Sequence, residues 1–134
     1  MINIYIIKTE NKFTCKGDEI CAYINEEEAR KHIDSYKEIY YNDLDHWLWY
    51  EKLPMRSDIS QIESYPSKTY IIKIKNNGTG KMEDLCSYIE ESRAINHIDN
   101  YKEIFNSSDF SIWYEELYLK EKFNTEGGIN PCQD

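Results

Sequence analysis

Three histidines (His32, His46, His97) and four cysteines (Cys15, Cys21, Cys86, Cys132) are the residues here that could act as bases, nucleophiles or metal ligands, beside 25 carboxylates. The segment His32-Ile33-Asp34 with Tyr36, Lys37 and Glu38 recurs as His97-Ile98-Asp99 with Tyr101, Lys102 and Glu103. An imidazole beside a carboxylate would suit general-base chemistry, but on a helix residues two apart point about 200° away from each other. His32 and Asp34 therefore cannot form a relay or a shared metal site from one helix. His32 and Tyr36, four apart, can touch, and a tyrosine offers little beyond a hydrogen bond. Both repeated histidines read as edge residues of a buried stripe, and His46, which has no repeat partner, reads as a loop residue. The cysteines show neither C-x-x-C nor a zinc spacing. Cys21 and Cys86 sit in apolar runs, where a free thiol behaves as a small hydrophobe, and reduced thiols are expected. No phosphate-binding or nucleophile-elbow motif is present. Gly78-Thr79-Gly80 reads as a hairpin turn, and its counterpart in the first half lacks both glycines. The paired carboxylates Asp43 and Asp45, Glu90 and Glu91, and Glu115 and Glu116 read as solvated charge. No catalytic residue, metal ligand or cofactor is expected.

The elements that carry these residues are legible from an internal repeat. Residues 5–39 align without a gap on residues 70–104 at an offset of 65. Tyr5-Ile6-Ile7-Lys8 returns as Tyr70-Ile71-Ile72-Lys73, and Cys21, Tyr23, Ile24 and Glu26 return as Cys86, Tyr88, Ile89 and Glu91. Further on the offset is 64, so that Trp49-Tyr50-Glu51 and Leu53 match Trp113-Tyr114-Glu115 and Leu117. The chain is a tandem duplication.

Within each half, Ile4 to Lys8 is a β-branched strand run, and Asn11 to Asp18 is a polar turn region. Glu19 to Ile24 follows as a second strand, with Ile20, Ala22 and Ile24 on one face and Cys21 and Tyr23 on the other. A helix starts after Asn25, its cap, with Glu28 completing a capping box and Glu26 to Glu28 favoured by the macrodipole. Ala29, Ile33, Tyr36 and Tyr40, repeated as Ala94, Ile98, Tyr101 and Phe105, form its apolar stripe. The aromatic-rich segments Trp47 to Leu53 and Ile112 to Leu119 read as strands, although the second also allows a helix. The expected fold class is α+β: two tandem ββαβ repeats related by a pseudo-two-fold, with antiparallel sheets and one helix per repeat. The expected division is 1–55 for the first repeat, 56–66 for a connector, 67–123 for the second repeat and 124–134 for a disordered tail. How the two repeats are arranged, and whether His32 and His97 share a pocket, stay open.

Composition bounds the partners. The 134 residues carry a net charge of −9, split as −5 over residues 1–66 and −4 over 67–134, so the folded surface itself is acidic. Such a polyanion is repelled by nucleic-acid backbones and anionic membranes. No apolar run approaches the roughly 20 residues of a membrane span, and Ile2 to Ile7 is too short for a signal peptide. A cytoplasmic location is expected. Twelve tyrosines and three tryptophans exceed what so small a core requires. Tyr40, Tyr41, Trp47, Trp49, Tyr114 and Tyr118 are therefore candidate exposed anchors.

The hairpin, the strand leading into Asn25-Glu26-Glu27-Glu28-Ala29 and the aromatic-acidic strand Trp49-Tyr50-Glu51 resemble the small uncharacterised ββαβ modules of phage and bacterial genomes. The profile of a short acidic chain without catalytic motifs is also similar to phage anti-defence proteins of the anti-CRISPR type. This resemblance implies a non-enzymatic, acidic protein-interaction protein that occludes the basic nucleic-acid-binding surface of a host nuclease or defence complex. The candidate partner-binding residues are Glu26, Glu27, Tyr41, Asp43, Asp45, Trp47, Glu90, Glu91, Glu115, Glu116 and Tyr118. Two other readings stay open: a small-molecule binder or enzyme with a pocket between the repeats, and a structural or regulatory homodimer.

Overall fold

The computed structural model describes residues 2–39, 45–105 and 108–123. Tyr40, Tyr41, Asp43 and the 124–134 segment lie outside the described residues. Six strands and two helices run in the order β1 (Ile2–Asn11), β2 (Gly17–Tyr23), α1 (Glu26–Ile39), β3 (His46–Met55), β4 (Ser67–Asn76), β5 (Met82–Tyr88), α2 (Glu91–Ile104) and β6 (Phe110–Lys120), with a short 3-10 turn at Ile59–Gln61.

The strands close into one barrel in the order β1-β2-β6-β4-β5-β3. This corrects the expected fold class: the halves do not stand as two ββαβ repeats with open antiparallel sheets. Each half supplies a three-stranded antiparallel sheet, β3-β1-β2 and β6-β4-β5. The two sheets are joined by parallel seams, β2 with β6 and β3 with β5. The physical reason is that a three-stranded sheet of about 55 residues leaves two raw edges and an apolar inner face, and joining the sheets satisfies both. Exchanging the halves maps every pairing onto another.

The seams are short. β2 meets β6 at Ala22–Leu119 and Tyr23–Lys120, and β3 meets β5 at Met55–Ser87. Backbone bonds from Ile24 N to Lys120 O (3.2 Å) and from Arg56 N to Ser87 O (2.9 Å) extend them at the same end. Towards the opposite end, where both hairpin turns lie, the two sheets diverge. The inner face at the closed end is apolar: Ile4, Ile6, Ala22, Leu53, Met55, Ile71 and Leu119 form the central core.

The helices lie on the outside. Ala29 and Ile33 of α1 pack over Ile7, Cys21 and Tyr23, and Ala94 and Ile98 of α2 over Ile72, Cys86, Tyr88 and Ile112. The stripe continues into half-buried Tyr36 and Tyr101. Phe105 departs from it: α2 has ended there, and the ring is 58% exposed. Asn25 caps α1 through its side chain, which accepts from Glu27 N at 2.8 Å. Glu28 does not complete a capping box, for its carboxylate binds Lys31 Nζ (2.9 Å) and Phe123 N (3.0 Å) instead.

Candidate functional site

The inner face of the barrel is charged at its open half, and a pair of β-bulges makes it so. Along β1, Ile4, Ile6 and Lys8 share the inner face, and along β4, Ile71 and Lys73 do. Regular alternation in β2 would send Glu19 outward with Cys21 and Tyr23. The β1–β2 register instead steps from Ile7–Cys21 to Lys8–Glu19, passing over Ile20. The second half repeats the step, from Ile72–Cys86 to Lys73–Asp84, passing over Leu85. An extra residue in one strand re-aims the side chains beyond it. Glu19 and Asp84 thereby turn inward, while Ile20 and Leu85 join the clusters beneath the helices. The expected grouping of Ile20 with Ala22 and Ile24 on one face fails for this reason.

The result is a belt with one charged side chain from each strand: Lys8, Glu19, Glu51, Lys73, Asp84 and Glu115. Lys73 Nζ lies 2.7 Å from Asp84 Oδ1, 2.8 Å from Glu19 Oε1 and 3.4 Å from Glu115 Oε2. Lys8 Nζ lies 3.0 Å from Glu51 Oε2, 3.1 Å from Asp84 Oδ2 and 3.3 Å from Glu19 Oε2. Lys8 to Asp84 and Lys73 to Glu19 cross from one sheet to the other. They span the region where the backbone does not pair. Glu51 and Glu115 are half-exposed at the rim, whereas Lys73 and Asp84 are buried.

Electrostatics follow from this packing. Burial pulls the Lys73 ammonium down, but its bonds to Asp84 and Glu19 outweigh that and hold it above the ordinary lysine value. Burial and contact with Asp84 raise Glu19. Asp84 is pushed up by burial too, yet its bonds to Glu19 and Lys73 carry it below the ordinary carboxylate value. A sequence signal for this belt existed: Lys8 and Lys73, and Glu51 and Glu115, recur between the halves at polar positions of otherwise apolar strands. The strand-face argument alone missed Glu19 and Asp84, because no glycine or proline marks either bulge.

The repeated histidines occupy two separate places, each beneath its own helix. His32 Nδ1 is hydrogen-bonded to the Tyr23 hydroxyl (2.9 Å) and His97 Nδ1 to the Tyr88 hydroxyl (2.8 Å). Cys21 Sγ and Cys86 Sγ lie 3.8 and 3.7 Å from the same nitrogens. Phe123 stacks on His32 at a centroid distance of 5.1 Å. Burial, with repulsion from Lys120, lowers the His32 pKa to about 4. Burial, with Arg56, lowers His97 as well. Burial raises the Cys86 thiol, so it stays protonated beside a neutral imidazole, the reverse of an activated nucleophile. Cys86 and Cys15 are free thiols, whereas Cys21 is disulfide-bonded, against the expectation that the thiols are reduced.

The described candidate partner-binding residues do not gather on one face. Glu26 and Glu27 start α1, and Glu90 and Glu91 precede and start α2, beside β2 and β5, which face each other across the barrel. Three of them bind locally: Glu26 accepts from the Tyr50 hydroxyl (2.6 Å), Glu90 from Ser57 Oγ (2.6 Å) and Glu91 from the Tyr114 hydroxyl (2.6 Å). Glu115 belongs to the belt, and Glu116 pairs with Lys68 at 3.3 Å. Glu116 and Tyr118 line a groove of about 240 Å³ along the β2–β6 seam, together with Ile20, Lys68 and Leu117. That is small beside the roughly 300–1,000 Å³ of sites for organic ligands. Asp45 and Trp47 lie at the hairpin end, where Lys12 Nζ sits over the Trp47 ring at 5.6 Å.

That end carries a feature the sequence reading missed. By the strand registers it collects the β1–β2 and β4–β5 turns, the starts of β3 and β6 and the C-terminus of α2. Among the described residues, nine large hydrophobic side chains are exposed, and six belong to it: Phe13, Trp47, Met82, Ile104, Phe105 and Phe110. The turns there are built alike. Asn11 Oδ1 accepts from Phe13 N and Thr14 N, and Asn76 Oδ1 from Gly78 N and Thr79 N. Lys12 N and Asn77 N bind the carbonyls of Asp45 and Asp109, at 2.7 and 2.8 Å. The apolar tips are thus held on a braced frame.

Among the described residues no group of three or more His, Cys, Asp or Glu could hold a metal ion. No described helix is long and apolar enough to cross a membrane. Comparison with protein-family models, with curated proteins and with solved structures finds no match to this chain.

Proposed function

We propose that the chain is a non-enzymatic interaction protein that docks a basic partner protein on the hairpin end of its barrel. The observation that carries this is the gathering of Phe13, Trp47, Met82, Ile104, Phe105 and Phe110 at one end. Exposed apolar side chains gathered at one end of a small protein point to an interaction site, and aromatic side chains are its usual anchors. The net charge of −9 supplies long-range attraction for a cationic partner. The basic nucleic-acid-binding surface of a nuclease or defence ribonucleoprotein is the partner class proposed. Carboxylates steer the encounter in this reading, and the apolar end makes the contact.

The test compares the wild-type chain, a Trp47→Ala/Phe110→Ala variant and an Ile95→Ala control as baits in a bacterial lysate at low and moderate salt. Ile95 is exposed near the start of α2, towards the other end. A basic protein held by wild type and control, reduced about tenfold by the double substitution and weakened by salt, is the expected result. Capture indifferent to the double substitution removes the docking face, and capture indifferent to salt removes the basic partner. A dimer that the double substitution dissolves, seen in sedimentation, makes a second copy the occupant and also overturns the proposal.

A further inference from the structure

We infer that the free edge of β6, over residues 114–118, is a strand-addition site that takes an extended, basic segment of another protein. The β2–β6 seam ends at Ala22–Leu119. From there back to Phe110, β6 has β4 as its only strand neighbour among the described residues. The carbonyl of Lys120 accepts from Ile24 N, so the backbone groups of Lys120 face β2. The β4–β6 register has no shift, and strand alternation therefore turns the backbone of Tyr118, Glu116 and Tyr114 to the same side. Opposite them β2 is interrupted by the bulge at Ile20. Unpaired backbone groups along a regular strand are a template for a further strand.

The duplication sets this edge apart from its twin. Lys52 and Pro54 of β3 are the counterparts of Glu116 and Tyr118: they oppose Tyr5 and Asn3 as Glu116 and Tyr118 oppose Tyr70 and Lys68. Lysine and proline are the residues that guard strand edges, and proline has no N–H to offer. The β3 edge is thus closed to an added strand where the β6 edge presents a carboxylate side chain and an N–H. The approach is acidic as well. Across residues 17–21 and 110–118 lie Asp18, Glu19, Glu115 and Glu116, with no lysine or arginine. Glu116 and Tyr118 line the groove along this seam with Ile20 and Leu117, and it seats alternate side chains of an added strand. Lys68, the cation in that lining, is held by Glu116 at 3.3 Å. A second copy of the chain is a poor occupant, because it sets like carboxylates against these with a net charge of −9 on each side. A segment bearing lysine or arginine pairs its backbone with the edge and its cations with the carboxylates.

Amide NMR of the intact chain tests this with a capped Lys-Val repeat peptide of about eight residues, within the usual length of a strand. Two controls accompany it. One is a Glu-Val repeat of the same length; the other is the Lys-Val peptide N-methylated throughout, which keeps the charge but donates no backbone hydrogen bond. The expected result is slowed exchange of the Tyr114, Glu116 and Tyr118 amides with the Lys-Val peptide, and affinity at least about tenfold lower for either control. A Glu116→Lys/Tyr118→Pro variant copies the Lys-Leu-Pro run that the fold already accepts in β3, and is expected to bind the Lys-Val peptide at least about tenfold more weakly. Equal binding of the N-methylated peptide reduces the contact to charge attraction and overturns the proposal. So do undiminished binding by the variant, protection of those amides in the free chain, a wild-type dimer formed through β6, and absence of binding. Should the variant fail to fold, the two peptide controls decide. The hairpin-end face is a separate surface: Trp47→Ala/Phe110→Ala is expected to leave peptide binding unchanged, so either reading can fail without the other.

Discussion

Cys15 holds a left-handed backbone, φ 57°, at the turn position that Gly80 occupies in the second half at φ 76°. Side chains with a Cβ resist that region, and the same backbone bond, from Cys15 N to Asn11 O and from Gly80 N to Asn76 O, closes both turns. Cys15→Gly is therefore expected to stabilise the fold by about 1 kcal/mol, and Gly80→Ala to weaken it by a similar amount, as read by urea unfolding. His32 gives a second prediction at this scale. Its imidazole stays neutral in the fold down to about pH 4, but takes a proton near 6.5 when the chain unfolds. Because the folded value is the lower one, the contribution is complete above pH 6.5 and is lost as pH falls towards 4. The loss is about 3 kcal/mol across that window. His32→Gln should lose less stability than wild type between pH 7 and pH 4.5, and equal losses would show that His32 is not the titrating group. The sequence showed both histidines at the stripe edge. It did not show their tyrosine partners, since that contact needs β2 beneath α1.

At the scale of elements, the bulges matter most. Alternation in Glu19–Ile24 is a reliable guide to one face or the other, but it is silent about a residue that the partner strand skips. Ile20 is an ordinary strand residue, so its bulge is set by the pairing with Ile7 and Lys8 and not by local chemistry. Barrel closure was hidden for a related reason: the seams rest on a few residue pairs between distant parts of the chain. What was legible was local, namely the hairpins, the helix starts and the aromatic strands. The belt makes a prediction here. Lys73→Met removes one ammonium from a buried network and leaves Asp84 and Glu19 facing each other, so it should cost roughly 3–5 kcal/mol. Replacing the inner four together (Lys8→Met, Glu19→Leu, Lys73→Met, Asp84→Leu) leaves no unpaired buried charge, only Glu51 and Glu115 at the solvated rim, and should be far less damaging, close to neutral. Denaturant midpoints of the two variants decide between an ionic network that must be complete and four independent contacts.

For the whole molecule, the acidic helix starts and the exposed apolar side chains separate. The acidic helix starts lie at the closed end, while Trp47, Phe110 and their neighbours lie at the hairpin end. Composition could report the excess of aromatics but not this division, because it follows from which strand ends the barrel brings together. Association should accordingly show two independent handles: salt alters the encounter rate, and Trp47→Ala/Phe110→Ala alters the lifetime of the complex. Both are measurable by surface-binding kinetics once a partner is in hand.

The exchange symmetry of the strand pairings reaches further than stability. Because each half pairs its own three strands and meets the other through the shared core, the seams and the belt, an unbroken chain through residues 56–66 is topologically dispensable. Fragments cut there should complement one another when mixed, and a gene of half the length, translated twice, would have met every pairing requirement of this barrel as a dimer before fusion let the two copies drift apart.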